Sequence, residues 1–211
     1  TTGHSNVAVG QGALYDNTTG DHNTSLGHNA LSNSTTADNN TAVGADALLD
    51  LTTGYDNTAI GEQAGASITT GRENVFVGTH AGDTTDDGKY NTAAGHEALS
   101  ANCGDANAAF GYVALNQATG SDNTGIGPVA GYEVTSGSNN TFLGHDAGRT
   151  GSPGGAITTA SNILSLGDEN VATANIQVDW TVASDERDKT DFADLDLGLD
   201  FVKALEPVTY Y

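Results

Sequence analysis

The sequence predicts an all-β protein, a parallel β-roll or β-solenoid of about nine 17-residue coils, and three observations predict it. A nine-residue unit recurs nine times, starting at Asn6, Asn23, Asn40, Asn57, Asn74, Asn91, Asn107, Asn123 and Asn140, with steps of 17 residues except two of 16. The fifth position of every unit is Gly and the eighth is Ala. The composition is the third: 28 Gly in 211 residues, with 27 acidic side chains against 6 basic ones, would read as disorder in a chain without repeats, whereas a solenoid shares those bulk numbers.

Each element of the unit, Asn-Thr-small-apolar-Gly-x-x-Ala-(Leu/Gly), has a physical reason. The fourth position holds Val9, Leu26, Val43, Ile60, Val77, Ala94, Phe110, Ile126 and Leu143, mostly strand-favouring residues of the buried class, and is expected to point inward. Period-two alternation places the second position, usually Thr, on the same face, so the unit opens with a short strand. Gly at the fifth position lets the chain turn a corner without a Cβ clash. Ala at the eighth, followed by Leu (Leu14, Leu31, Leu48, Leu99, Leu115) or Gly (Gly65, Gly82, Gly131, Gly148), predicts a second, tighter strand. A Gly three residues before the next Asn marks the return turn in every coil but one, where Ala37 stands. The nine Asn are expected to stack as a ladder of amides whose task is to satisfy backbone groups at the corner.

A coil this thin buries too little apolar surface to repay the ordering of its backbone by itself. Outward apolar residues, the Leu set among them, are therefore expected to pack against identical copies, in a parallel and rotationally symmetric homo-oligomer.

The charge balance, formally -21, excludes several partners. Arg72, Lys89 and Arg149 are the only cations in the first 183 residues, which leaves no basic footprint for nucleic acid or an anionic membrane surface. No apolar run approaches the ~18 residues of a membrane span. Cys103 is the only cysteine, so neither an intrachain disulfide nor a cysteine-based zinc site holds the fold. The chain begins with Thr1 and contains no Met, and is read as a piece of a longer polypeptide.

Other chemistries are weak. His28, His96 and His145 share the sixth position of the unit and His80 the seventh, but Gln11, Ala45, Glu62, Thr79, Tyr112 and Pro128 occupy the sixth equally, as expected of exposed corner residues. Acidic turns such as Tyr55-Asp56-Asn57 offer oxygen ligands for calcium, yet the Gly-Gly-x-Gly-x-Asp roll pattern is absent. No metal and no cofactor is expected. No loop interrupts the repeats to build a glycosidase cleft, and the Thr pairs lie mainly in turns rather than on a flat strand face suited to ice.

Beyond residue 148 the pattern changes. Residues 149–161 are a Gly/Pro-rich loop, Asn162-Ile163-Leu164-Ser165-Leu166-Gly167 is a degenerate coil, and Ile176, Val178, Trp180 and Val182 alternate as a short β neck, closing a segment of residues 162–183. Residues 184–211 then read Ser184-Asp185-Glu186-Arg187-Asp188-Lys189, followed by a short helical stretch from Leu197 to Leu205 stopped by Pro207 and a return to strand, a small α/β segment.

The Asn-Thr-Ala-Val-Gly units of residues 1–148, with their Thr-Gly turns, resemble the left-handed parallel β-roll heads of trimeric autotransporter adhesins and similar repeats in bacteriophage tail fibres. The segment from Ser184 resembles the start of the self-cleaving intramolecular chaperone of endosialidase tailspikes and phage fibres. The resemblance implies a homotrimer in a virion tail or other extracellular setting, whose partners are other tail proteins and a host surface receptor or glycan, and whose role is structural and adhesive. It also implies a scissile bond between Ala183 and Ser184, Ser184 as nucleophile, Lys189 as its base, and Asp185 and Arg187 as positioning residues. A serine hydroxyl does need such a base, and a partly desolvated Lys can act as one. Any enzymatic activity would be a single self-cleavage. A cell-surface trimeric adhesin, or another extracellular β-roll structural protein, is the alternative assignment.

Overall fold

The computed structural model describes residues 2–175 of the chain. The expected neck at Ile176–Val182, the scissile pair Ala183 and Ser184, the positions Asp185, Arg187 and Lys189, and the helical stretch after Leu197 lie outside the described residues. The solenoid falls within one unit, Thr1–Ala172.

Ten three-residue strands follow one another: β1 (Val7–Val9), β2 (Thr24–Leu26), β3 (Thr41–Val43), β4 (Thr58–Ile60), β5 (Val75–Val77), β6 (Thr92–Ala94), β7 (Ala108–Phe110), β8 (Thr124–Ile126), β9 (Thr141–Leu143) and β10 (Leu164–Leu166). They form a single parallel sheet in strict sequence order, with equivalent positions in register, as in Thr41↔Thr58, Ala42↔Ala59 and Val43↔Ile60. The fold is a parallel β-solenoid with one strand per coil, and among the described residues there is no helix. The tenth strand continues the sheet although its residues lie 23 positions beyond their partners in β9: the loop expected over residues 149–161 is shorter, because Ile157 N–H returns to Gly148 O at 2.9 Å and Thr158 O accepts from Thr135 N–H at 2.7 Å, so the coil has resumed by Ile157.

The expected second strand is absent. The segment after the Gly corner is a run of turns in which the seventh and ninth positions are left-handed, as at Asp46 (φ 56°) and Leu48 (φ 50°) or Gln63 (56°) and Gly65 (60°). Two left-handed residues in three break the extended backbone a strand requires, while the chain still bonds to its neighbours, as Leu48 N–H does to Ala64 O at 3.0 Å. At the fifth position Gly is obligatory on two counts. Gly61 has φ 137°, and a Cβ there would lie 2.5 Å from Gly78 O in the next coil. The return-turn Gly is not left-handed, so Ala37 can share its backbone conformation, but close approach still favours Gly elsewhere: a Cβ on Gly54 would clash with Gly71 O.

The interior is narrow. The third position of the unit, buried from Ser25 onward, holds Ala42, Ala59, Ala93 and Ala109, and the eighth-position alanines from Ala30 to Ala147 are fully buried. Leu31, Leu48, Leu99 and Leu115 also lie wholly inside. This overturns the expectation that the Leu set faces other copies: the left-handed backbone at the ninth position turns the side chain into the coil. Where that position is Gly, a Phe at the third position supplies the missing volume. A Cβ on Gly82 would lie 2.6 Å from Phe76 Cε1 and one on Gly65 3.0 Å from Phe76 Cδ2, and Gly131 and Gly148 are set against Phe142 in the same way. Leu51, Ile68 and Val134 fill the return-turn side, and Cys103 is buried there in a coil one residue shorter. Burial pushes the Cys103 thiol up to about 11, against a weaker opposing hydrogen bond from Thr85, so it stays protonated and serves as core filler.

Candidate interaction face

The strand phase decides what the solenoid shows to its surroundings. Asn at the first position and the small residue at the third point inward, so the second and fourth point outward. The expectation that the fourth position faces the core is therefore corrected. Leu26, Ile60, Phe110, Ile126 and Leu143 keep 42–48% of their surface exposed, and Val9 keeps 55%. The alternation was placed one residue out of phase, which flips every side chain to the other face. The physical reason is width: a coil whose interior admits mainly methyl groups at the third position has no room for a row of Val, Leu and Ile.

The second and fourth positions consequently form two parallel columns on one sheet face. The first runs Val7, Thr24, Thr41, Thr58, Val75, Thr92, Ala108, Thr124, Thr141 and Leu164. The second runs Val9, Leu26, Val43, Ile60, Val77, Ala94, Phe110, Ile126, Leu143 and Leu166. None of these residues is charged, in a chain of 27 acidic and 6 basic side chains. At ~4.8 Å per strand the face is roughly 43 Å long.

Behind one edge of this face stand the nine Asn. Asn57 typifies them: its backbone N–H donates to Asn40 Oδ1 at 2.9 Å and its Nδ2 to the same oxygen at 3.1 Å. The Nδ2 also donates to the return-turn carbonyl of Gly71 at 3.0 Å. Its own Oδ1 then accepts from Asn74 N–H at 3.1 Å and Nδ2 at 3.0 Å. The pattern runs from Asn6, bonded to Gly20 O at 2.7 Å, to Asn140, bonded to Ala160 O at 2.9 Å, with Asn91, Asn107 and Asn123 between. After the first coil these side chains are buried, so their amides serve the backbone rather than a ligand.

The corner histidines are placed individually. His80 Nδ1 lies 3.1 Å from Asp83 Oδ2; the His80 and His96 rings meet edge to face with centroids 6.3 Å apart, and His96 stacks on Tyr112 at 5.7 Å. On the return-turn side, Arg72 lies over the Tyr55 ring at 5.6 Å. At the last coils His145 Nδ1 sits 3.4 Å from carboxylate oxygens of both Asp146 and Asp168. Sequence reasoning missed this meeting, because the loop of residues 149–161 hides which residue of the final coil falls beside His145. Asp146 is already engaged by Arg149 Nη1 at 2.7 Å. The Asp168 carboxyl is held below its ordinary range, chiefly by hydrogen bonds from the Asn170 side chain and backbone. Among the described residues the surface holds no pocket.

The class of protein this geometry defines is a parallel β-solenoid with one uncharged, largely apolar sheet face. No family model, no curated protein and no solved structure matches the chain.

Proposed function

We propose that the chain is the shaft of a homotrimeric fibre, a phage tail fibre or related virion appendage used in host attachment, and that the two-column face is where its three copies meet. The observation that carries this reading is the face itself: ten strands long and free of charge, in a chain whose formal net charge is -21. The number three comes from the resemblance to trimeric adhesin heads and phage fibres. Parallel copies keep all the coils aligned along the fibre, so that axial force is shared by every coil of each chain.

Native mass of the chain at micromolar concentration tests the reading. Three copies are expected for the wild type and one for Ile60→Lys/Ile126→Lys, with unchanged β circular dichroism, because both side chains point out of the folded coil. A monomeric wild type defeats the proposal.

The Ser184 motif supports a chaperone that drives trimerisation and then removes itself. Subunit mass of the parent with its natural C-terminus is expected to end at Ala183 in the wild type and to remain full length in Ser184→Ala. Full length in both would remove self-cleavage and leave the shaft.

A further inference from the structure

Repetition creates a problem for such an interface. One chain displaced by one coil, ~4.8 Å, again sets Thr against Thr and a branched aliphatic against another along most of the face. A slipped assembly would differ little from the aligned one unless some coil is unlike the rest.

One coil is. Phe110 is the only aromatic residue in the two columns, and Ala94 and Ala108 are their only alanines. All three are adjacent: Ala94 is the strand partner of Phe110 on β6, and Ala108 shares its outward face two residues earlier on β7. The largest side chain of the face thus sits beside its two smallest. Inside the coil the same trade is visible, where Phe76 fills the space of Gly65 and Gly82, but there the partners belong to one chain. Phe110 is 42% exposed, so its own chain leaves it partly uncovered.

We infer that Phe110, with the space left by Ala94 and Ala108, is the axial register key of the assembly and that its partner is the same layer of a second copy of this chain. The inference rests on the reading of this face as a contact between copies. In register, the Phe110 rings of all copies arrive at one height and spread over the alanine layer. A chain displaced by one coil drives its ring against Val77 and Thr92 or against Phe110 and Thr124, and leaves the alanine layer empty. Both arrangements are penalised, one by overlap and the other by a void.

Isoleucine δ1 methyl NMR on the full chain reads this directly, because Ile60 and Ile126 lie on the face and Ile68 lies in the core. A symmetric assembly gives one signal for each. Phe110→Val makes the odd coil like the others. It is expected to keep the wild-type assembly mass while the Ile60 and Ile126 signals split into several and Ile68 stays single. Leu143→Val, an equal kind of truncation elsewhere on the face, is expected to leave all signals single. Single Ile60 and Ile126 signals in assembled Phe110→Val, or equal splitting in Leu143→Val, would overturn the register role. A monomeric wild type would instead remove the interface reading beneath it, and that outcome appears in the mass.

Discussion

Phe76→Ala is expected to cost the solenoid about 3–5 kcal/mol, the range for emptying a fully buried aromatic site in a core that cannot collapse around it. Collapse is prevented here because every coil is held on both sides by backbone bonds, such as Val75 N–H to Asn91 O at 2.8 Å and Thr58 N–H to Asn74 O at 2.8 Å. Urea unfolding followed by circular dichroism gives the value. The cause can be separated from a generic loss by restoring the volume differently. Gly65 and Gly82 have φ of 60° and 62°, close to Leu48 at 50° and Leu99 at 56°, so the backbone at the ninth position already accepts Leu. Gly65→Leu/Gly82→Leu in the Phe76→Ala background is expected to recover at least half the loss. The same pair in the wild type is expected to destabilise by about 1–3 kcal/mol through overpacking. A change that stabilises one background and destabilises the other is the signature of a shared volume. If the Leu pair acts alike in both backgrounds, the Phe-for-Leu exchange is wrong.

That exchange explains what the sequence did and did not disclose. The coil, its period, the Gly corner and the need for Ala were legible because each is repeated at every turn and each has one physical cause. The parallel stacking of coils followed from the period, but the expected two strands per coil are reduced in the structure to one, in a single parallel sheet. The facing of the strand was misread, because Val, Leu and Ile at the fourth position satisfy the general preference of apolar residues for the interior, and nothing local says that the interior beside the strand is filled mainly by small third-position residues and by Leu or Phe from other positions. The clue was present in the third position, which is Ala, Ser or Gly in all coils but two. In those two, Phe76 and Phe142 coincide with Gly at the ninth position, a correlation between columns rather than a pattern within one. The second strand was misread for a different reason: Leu48 and Leu99 sit in a left-handed conformation that Leu rarely adopts, and only the Gly that replaces it in other coils hinted at the φ required. The outward apolar residues were consequently expected in the Leu set, whereas the structure buries Leu31, Leu48, Leu99 and Leu115 and exposes the fourth position. The meeting of His145 with Asp168 was illegible because it depends on the path of a loop without a period.

The second large effect is expected at the amide ladder, where Asn57→Ala should cost about 2–5 kcal/mol in the same unfolding measurement. The substitution strands the Gly71 carbonyl and the Asn74 N–H, both served by the Asn57 side chain, and a buried polar group without its partner costs about 1–3 kcal/mol. Asn57→Asp asks why the residue is an amide and not merely an acceptor. A carboxylate of the same shape can still accept from Asn74, but it cannot donate to Gly71 O or to Asn40 Oδ1, and it turns a negative oxygen toward both. A protonated carboxyl can donate to one of them. The fold therefore favours the protonated form, which raises the folded-state value of this Asp above its unfolded one. Stability linked to such a group is present below the unfolded value and lost as pH rises through the folded one. The deficit of Asn57→Asp relative to wild type is accordingly expected to be large near about pH 7 and to shrink toward about pH 4, while that of Asn57→Ala stays constant. A deficit for Asn57→Asp that ignores pH would mean that the side chain has left the ladder. In that event the Asn column would owe its regularity to something other than the paired donor and acceptor that only an amide of this length places between two coils.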